Sequence, residues 1–165
     1  MAHAIIAGQT QVGKTTFAKK LAESLKRVAV FEVEYKTKWK GDIVYQTTDI
    51  EMLMVFAKSN VRCNIFIDDS EEATDRDRKY NFFATRARHF GHSCYFLMQR
   101  PTQVLPTVRH NCSAVYCFRL NPEDSEQLSI DFNEPLLLQA PTLGVGECFA
   151  KPSPISECRK IKLRL

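Results

Sequence analysis

The chain has 165 residues, 44% of them hydrophobic, and carries 23 Lys and Arg against 19 Asp and Glu, a net charge of +4. This length fits one domain with a sizeable core and is too short for two of ordinary size, so we expect a single domain over residues 1–165. The small positive excess permits a nucleic-acid partner without requiring one, and no apolar stretch approaches the length of a membrane span.

Residues 8–15 have the form GxxxxGK[ST], which is typical of a phosphate-binding loop. An apolar run over 4–7 precedes the loop and predicts a strand, and an amphipathic pattern over 17–26 follows it and predicts a helix. A phosphate-binding loop requires this order of strand, loop and helix. The predicted nucleotide-binding residues are Gly8, Gln9, Thr10, Gln11, Val12, Gly13, Lys14, Thr15 and Thr16.

The residue types in this loop suit a nucleoside triphosphate. Glycines at 8 and 13 let the backbone turn and approach a polyphosphate, and the helix N-terminus favours an anion. Lys14 supplies a positive charge for the β- and γ-phosphates, while the Thr15 hydroxyl can ligate Mg²⁺. We therefore expect ATP and Mg²⁺ as ligands.

The chain up to residue 68 predicts strands over 28–33, 43–45 and 63–67 and a second helix that begins at a capping box formed by Thr48 and Glu51. The strand over 63–67 runs directly into Asp68 and Asp69. A buried strand that delivers a carboxylate from its C-terminal end is typical of a Walker B motif. Asp68 is the predicted metal ligand and Asp69 the predicted acid that orients the attacking water. The alternative is a strand that ends in a polar turn.

Three lysines surround the only tryptophan in the segment 36–41. One interpretation is a DNA-contacting loop in which Lys36, Lys38 and Lys40 meet phosphates and Trp39 lies against the backbone or bases. The alternative is a solvated loop whose Trp39 folds back on the core.

Residues 74–77 predict the cap of a further helix, in which Tyr80, Phe83, Ala84 and Ala87 form the buried stripe before Gly91. Phe82 falls away from this stripe, so we expect it to be exposed beside Arg86 and Arg88, where it suggests a subunit contact. A strand over 93–98 then ends at Gln99, which could reach the γ-phosphate or the lytic water.

The C-terminal part predicts a short helix over 104–110, a strand over 114–118, a helix from Pro122 towards Ile130 and a hairpin-like pattern that joins 136–138 to 147–150. The tail over 160–165 alternates charged and aliphatic residues, which favours an edge strand. A basic DNA-binding tail is the alternative. The six scattered cysteines form no CxxC pair, so we expect buried free thiols in a reducing compartment.

Taken together, the motifs resemble those of the FtsK–HerA superfamily of additional-strand P-loop ATPases. Residues 8–16 resemble its Walker A motif and 64–70 its Walker B motif. Residues 87–119 resemble the segment in which a helix that ends in an AR..G pattern leads to a strand that closes in Gln-Arg-Pro, and 143–152 its closing strand pair. The resemblance implies an α/β fold, a three-layer RecA-like core with a mostly parallel central sheet and an antiparallel C-terminal edge. It covers nearly the whole chain.

The resemblance also implies an ATP-hydrolysing translocase of double-stranded DNA that assembles as a homo-oligomeric ring, usually a hexamer. Asp68 would hold the metal, and Gln99 would act as the sensor. Asp69 stands where the bacterial motors usually have Glu. Arg88 is the first candidate for the arginine that reaches a neighbour's γ-phosphate, and Arg86, Arg100 and Arg109 are further candidates in no order.

The chain is little more than a motor core and most resembles genome-packaging ATPases of membrane-containing, double-jelly-roll viruses. That likeness implies a place in the host cytoplasm, with possible attachment to a capsid protein at the packaging vertex. A cellular or plasmid translocase is an alternative. A small-metabolite or nucleotide kinase and a guanine-nucleotide switch are further alternatives, although the sequence shows neither an arginine-rich lid nor an Asn/Thr-Lys-x-Asp motif.

Overall fold

One mixed sheet organises residues 3–33, 38–68 and 76–164, which the computed structural model describes. Its strands are β1 (His3–Ala7), β2 (Val28–Glu32), β3 (Ile43–Thr47), β4 (Asn64–Asp68), β5 (Ser93–Met98), β6 (Cys112–Cys117), β7 (Glu147–Lys151) and β8 (Arg159–Lys162). The α-helices in these ranges are α1 (Lys14–Glu23), α2 (Ile50–Ser59), α3 (Arg76–Asn81), α4 (Pro106–His110) and α5 (Pro122–Asp131).

The strand order β3-β2-β4-β5-β1-β6-β7-β8 confirms the fold class expected from the sequence. Strands β1 to β6 pair in parallel, whereas β7 and β8 close the sheet with antiparallel pairs. Strand β5 lies between β1 and β4, and it is therefore the additional strand that separates the phosphate-loop strand from the strand that ends in Asp68.

Both faces of the sheet are covered, which explains why its central strands are apolar along their whole length. On one face, α1 contributes Ala18 and Ala22 to a cluster with Ile6 and Phe66. On the other face, residues of α2, α5 and a 3-10 helix over Pro135–Thr142 form a larger cluster. The result is three layers.

The register of the parallel strands brings the candidate site together. Asp68 is paired with Leu97, and Ala7 with Met98, so β4, β1 and β5 end at the same edge of the sheet. Asp68, the loop after Ala7 and Gln99 after Met98 therefore lie at one edge, where ligands bind in parallel sheets.

Several local predictions need correction. Helix α2 is capped by Asp49 rather than Thr48, because the Asp49 carboxylate accepts hydrogen bonds from the backbone of Glu51 and Met52. The expected strand over 136–138 is a 3-10 helix, since Pro135 begins it and Leu137 packs into the core. The tail forms the edge strand β8, as predicted, whereas the capping box at 74–77 begins outside the described residues.

The helix that begins at Arg76 changes its winding. Helix α3 continues into a π-helical turn over Phe82–Arg86 and a 3-10 turn over Ala87–Phe90, which ends at Gly91 in a left-handed conformation. The expected stripe of Tyr80, Phe83, Ala84 and Ala87 is buried. Phe82, however, is partly buried against the same core, because the wider turn rotates it towards Phe83. The prediction of an exposed Phe82 is wrong.

The cysteines are free, as expected. Five are buried and Cys158 is partly exposed. Burial raises the pKa of the Cys148 thiol to about 12, so this side chain stays protonated at neutral pH. In the described part of the chain, no helix combines the length and the apolar character needed to cross a bilayer.

His3 makes the stability of this fold depend on pH. Its Nδ1 accepts a hydrogen bond from the backbone N–H of Cys94 at 3.0 Å. Its buried Nε2 has no hydrogen-bond partner among the described residues. Burial, together with the positive charge of Arg88, lowers the pKa of His3 from 6.5 to about 4. The unfolded chain therefore binds the proton more readily than the folded one.

We expect the contribution of His3 to be complete above pH 6.5 and to be lost as the pH falls towards 4. From pH 7 to pH 5 the loss should be about 2 kcal/mol of the free energy of unfolding, measured by urea denaturation. His3→Asn keeps an acceptor for the Cys94 N–H but cannot titrate, so its loss over this range should be smaller. Equal losses in both proteins would contradict the assignment.

Candidate active site

The first half of the phosphate loop is clamped between the two strands that flank β1. The backbone N–H of Gly8 donates to Met98 at 3.1 Å, and that of Gln9 donates to Arg119 at 2.9 Å. A Cβ at Gly8 would lie 2.6 Å from Phe118 Cβ and 2.9 Å from Val12 Cγ2. Only glycine fits here because the loop leaves the sheet against the side chain of Phe118.

The second half of the loop turns into α1 at Gly13, whose φ of 110° is left-handed. Helix α1 begins at Lys14, so its first backbone N–H groups and its dipole face the loop. Thr15 is partly buried in this first turn and Thr16 is exposed. The arrangement is that of an anion-binding helix N-terminus.

Lys14 is buried inside this loop, with 9% of its surface exposed. Its Nζ donates hydrogen bonds to the carbonyl oxygens of Gly8 at 2.5 Å and Gln9 at 3.0 Å. Burial lowers the pKa of Lys14 to about 8, while the negative charge of Asp68 opposes that shift. A phosphate group would stabilise the charged form of this lysine further.

Asp68 lies at the end of β4, at the sheet edge that the phosphate loop also occupies. Its electrostatic effect on Lys14 places a carboxylate near the loop lysine. The hydroxyl of Thr15 and the carboxylate of Asp68 are both hard oxygen donors, the kind that Mg²⁺ takes together with the phosphates of a nucleotide. Asp69 lies outside the described residues.

Gln99 follows β5 directly and lies beside the phosphate loop. The Thr10 hydroxyl donates to its Oε1 at 3.4 Å. The amide of Gln99 therefore stands next to residues predicted to bind phosphate, as a sensor residue requires.

Trp39 is buried in the core and is not available to DNA. Only 5% of its surface is exposed, its indole N–H donates to Glu32 Oε1 at 2.7 Å, and its ring lies 5.4 Å from that of Phe66. The prediction that Trp39 contacts DNA is wrong, and the alternative, a Trp39 that folds back on the core, is confirmed. Lys38 and Lys40 beside it are exposed, and Lys36 lies outside the described residues.

The arginines before β5 lie at the N-terminal ends of the parallel strands, whereas the phosphate loop lies at their C-terminal ends. Arg86 and Arg88 are exposed on the irregular helix that leads to the N-terminal end of β5. Arg88 donates to the side-chain oxygen of Asn111 at 2.7 Å, at the start of β6. Neither can reach the nucleotide site of its own chain.

The other two candidate arginines are held within the subunit. Arg109 is 6% exposed and donates to the Asp131 carboxylate at 2.6 Å and to backbone carbonyls. Arg109 cannot serve a neighbouring subunit because it is buried in these bonds. Arg100 lies at the phosphate-loop edge and pairs with the fully buried Asp124 and with Glu123.

Sequence reasoning missed two groups at this edge. Glu32 ends β2 in register with Asp68 and accepts hydrogen bonds from Trp39 and Gln46. Arg119 follows β6 and contacts the phosphate loop through its backbone carbonyl. Glu32 belongs to no local motif and Arg119 is only the last residue of the segment 87–119, so it is the pairing of the strands that brings both to the site.

A glycine-bearing phosphate loop that opens a helix, an acid at the end of β4 and an extra strand between the two define an additional-strand P-loop ATPase. The model of the ATPase family associated with various cellular activities (AAA) matches residues 4–91. The chain belongs to this family and is an ATP-hydrolysing enzyme. No curated protein matches the sequence.

Solved structures share this fold at low sequence identity. A sulfate complex of the genome packaging NTPase B204 from Sulfolobus turreted icosahedral virus 2 has a TM-score of 0.75 at 12% identity, over 99% of this chain and 97% of that one. Its ATP-gammaS complex has a TM-score of 0.73 at 13% identity, over 99% and 98% of the two chains. The cytoplasmic domain of the type VII secretion ATPase EccC from Thermomonospora curvata has a TM-score of 0.67 at 11% identity, over 98% of this chain and 25% of that one. These matches confirm the expected resemblance to packaging ATPases at the level of the fold.

Proposed function

We propose that this ATPase moves double-stranded DNA, as a genome-packaging motor that works in a homo-oligomeric ring. The observation that carries the proposal is the shared fold with the phosphate loop and Asp68 at one end of the parallel strands, in which the genome packaging NTPase B204 has a TM-score of 0.75. The motif resemblance in residues 87–119 supports the same assignment.

In this proposal, residues 8–16 bind the triphosphate and Lys14 neutralises its charge. Mg²⁺, held by Thr15 and Asp68, would supply Lewis-acid stabilisation of the charge that develops on the phosphates. Gln99, which the Thr10 hydroxyl contacts, would orient the attacking water. The remaining acid of the predicted pair, Asp69, is proposed to accept the proton of that water.

The first test is ATP hydrolysis with and without long duplex DNA. A translocase should hydrolyse ATP faster on DNA and show little dependence on DNA sequence, because it contacts backbone phosphates. Hydrolysis that is indifferent to DNA in a stable monomer would overturn the proposal. Phosphoryl transfer to a nucleoside or a metabolite would support the kinase alternative, and preferential GTP binding would support the switch alternative.

Lys38 and Lys40 are the proposed DNA contacts among the described residues. They flank Trp39, and the hydrogen bond from Trp39 to Glu32 fixes the loop that presents them. The double variant Lys38→Gln with Lys40→Gln should lose most of the DNA stimulation and keep its basal ATPase rate. If both lysines meet phosphates, the slope of log affinity against log salt should fall by about 2 in a DNA-binding titration.

The matched control removes two exposed cations from the far edge of the sheet. Arg159→Gln with Lys162→Gln on β8 makes the same change in net charge at the other end of the strand order. This variant should keep most of its DNA stimulation. A larger loss here than in the Lys38 and Lys40 variant would assign DNA binding to the basic tail instead.

Arg88, followed by Arg86, is the proposed residue that reaches the nucleotide of a neighbouring subunit. Both arginines lie at the edge opposite their own phosphate loop. An inactive variant of either arginine should therefore regain activity when it is mixed with an inactive Lys14 variant, in which the arginines are intact. A mixed ring contains interfaces with an intact arginine and an intact Lys14, so the ATPase rate should exceed the sum of the two separate preparations. Activity equal to that sum would contradict action between subunits.

A further inference from the structure

Two arginines with a left-handed backbone lie in neighbouring turns where the parallel strands begin. Arg27 lies directly before β2 and Arg62 lies two residues before β4, with φ values of 50° and 54°. Val28 of β2 is paired with Asn64 of β4, and the backbone N–H of Asn64 donates to the carbonyl oxygen of Arg27 at 3.0 Å. Both turns are therefore at the end of the strands opposite the phosphate loop.

The geometry of these two turns does not call for arginine. A left-handed backbone suits glycine, and asparagine to a lesser degree, whereas the Cβ of a long side chain makes this conformation costly. Backbone groups hold the turns, because the N–H of Arg27 donates to the Asp42 carboxylate at 2.8 Å and that of Arg62 to the carbonyl of Phe90 at 3.0 Å. An arginine at both strained positions therefore indicates a role for its side chain.

Neither guanidinium is neutralised by a carboxylate in the described part of the chain. Nη2 of Arg27 contacts two uncharged acceptors, Asn60 Oδ1 at 3.4 Å and Cys63 Sγ at 3.8 Å. The side chain of Arg62 has no hydrogen bond or ion pair to any of the same described residues. Both arginines are exposed, as is Lys26. Exposed cations in neighbouring turns create a positive potential that attracts an anion.

The loop next to Arg27 favours DNA as the source of that anion. Asp42, which bonds to the Arg27 turn, is two residues from the exposed Lys40. Gly41 between them has a φ of 103°, and a Cβ there would lie 3.0 Å from Glu23 Cα. The loop that carries the proposed DNA contacts is thus fixed beside Arg27.

The side chain of Arg88 belongs to a different part of this edge. It bonds to Asn111 at 2.7 Å, at the start of β6. Strands β5 and β1 separate β6 from β4, which makes three strand spacings, or about 14 Å. A contact of Arg88 with a neighbouring subunit therefore leaves the β2 and β4 turns available for another ligand.

We propose that Arg27 and Arg62 form a phosphate-contact site for duplex DNA, which extends the surface of Lys38 and Lys40 to the start of the strands. The inference rests on the proposed function in taking DNA as the substrate. A guanidinium group can bind a phosphate through two parallel N–H bonds, and contacts to the backbone carry no base information. DNA of any sequence should therefore bind at this site.

The test replaces both arginines with asparagine. Arg27→Asn with Arg62→Asn removes the charges and suits a left-handed backbone, so its thermal unfolding midpoint should equal or exceed that of the wild type. Affinity for duplex DNA should fall by about tenfold, and the slope of log affinity against log salt should fall by about 2. Two duplexes of unrelated sequence should show the same loss. Arg27→Lys with Arg62→Lys keeps the charges and should keep most of the slope.

The control is Arg159→Gln with Lys162→Gln, which makes the same change in net charge and should lose little DNA affinity. Wild-type DNA affinity in the folded asparagine variant would overturn the inference. A loss of DNA-free ATPase activity that mixing with an inactive Lys14 variant restores would also overturn it, because it assigns the arginines to a neighbour's nucleotide. So would a changed oligomeric state with unchanged DNA affinity, which assigns them to a subunit contact.

The inference and the proposed function fail in different ways. DNA that binds at these arginines without raising the ATPase rate of the wild type would contradict the translocase proposal and leave the site in place. DNA that raises the rate and binds the asparagine variant as tightly as the wild type would contradict the site alone.

Discussion

Replacing Lys14 with Met should abolish ATP hydrolysis and, at the same time, make the nucleotide-free protein more stable. The ammonium group of Lys14 provides positive charge in a loop that binds a triphosphate, and its removal should lower the rate by about 100-fold or more. The gain in stability has a separate cause. Burial lowers the pKa of Lys14 from 10.5 to about 8, so the protein at pH 7 holds a buried charge that it would hold more favourably when unfolded.

The sign of the stability change follows from linkage. Between pH 8 and 10.5 the unfolded chain binds the Lys14 proton and the folded chain does not, so wild-type stability should rise with pH across this range. Below pH 8 both states hold the proton, and the folded protein bears the full cost of the buried charge. Lys14→Met removes this cost, but it also removes hydrogen bonds to the carbonyl oxygens of Gly8 and Gln9. We expect a net gain of about 1–2 kcal/mol at pH 7.

Urea denaturation at pH 7 and pH 10 measures the stability change, and a steady-state ATPase assay measures the rate. Lys20→Met on the same helix is the control, because that side chain is exposed and donates a hydrogen bond to the backbone carbonyl of Arg164. It should change the pH dependence of stability little. A Lys14→Met protein that is less stable than the wild type at pH 7 would contradict the account of a strained buried charge.

A proton uptake experiment tests the same lysine without a mutation. Binding of a triphosphate should raise the pKa of Lys14 above 8, because the phosphates favour its charged form. ATP binding at pH 8.5 should therefore take up protons, seen as a dependence of the calorimetric enthalpy on the buffer. Affinity should fall as the pH rises above 8.

Much of the fold could be inferred from the sequence because its signals are local and strong. The mostly apolar run over 63–67 predicts a strand and the glycines of the phosphate loop predict a turn into a helix, and the structure has both, with β4 over Asn64–Asp68 and α1 beginning after Gly13. The cap of α2 was misplaced by one residue, because Thr48 and Asp49 both suit the position. The apolar run at 136–138 fits a strand as well as a 3-10 helix, and only packing against the core decides between them.

The parts of the site that could not be inferred depend on contacts between distant residues. Trp39 is fixed by Glu32 and Phe66, and neither partner is marked by its position in the sequence. Arg119 comes to the phosphate loop only because β6 pairs with β1. Arg109 likewise cannot reach a neighbouring subunit because it is bonded to Asp131, which lies 22 positions away in the sequence.

Asp68→Asn should have the second largest effect on ATP hydrolysis. Its effect on ATP affinity should change sign between solutions with and without Mg²⁺. With Mg²⁺ present, loss of the carboxylate removes a metal ligand, and hydrolysis should fall by about 100-fold. Without metal, Asp68 is a negative charge near the phosphates, so its removal should tighten ATP binding. A purely structural role for Asp68 would weaken binding under both conditions.

Glu32→Gln is the matched control, because Glu32 ends the neighbouring strand β2 in register with Asp68. Its carboxylate oxygens accept hydrogen bonds from Trp39 and Gln46, and an amide can keep the acceptor that Trp39 uses. This variant should retain the Mg²⁺ dependence of the wild type even if it is less stable. ATP affinities measured in EDTA and in excess Mg²⁺ therefore separate the two acids. If Asp68→Asn kept wild-type hydrolysis, Asp68 could not be the metal ligand, and the assignment of the β4 edge to the metal would fail.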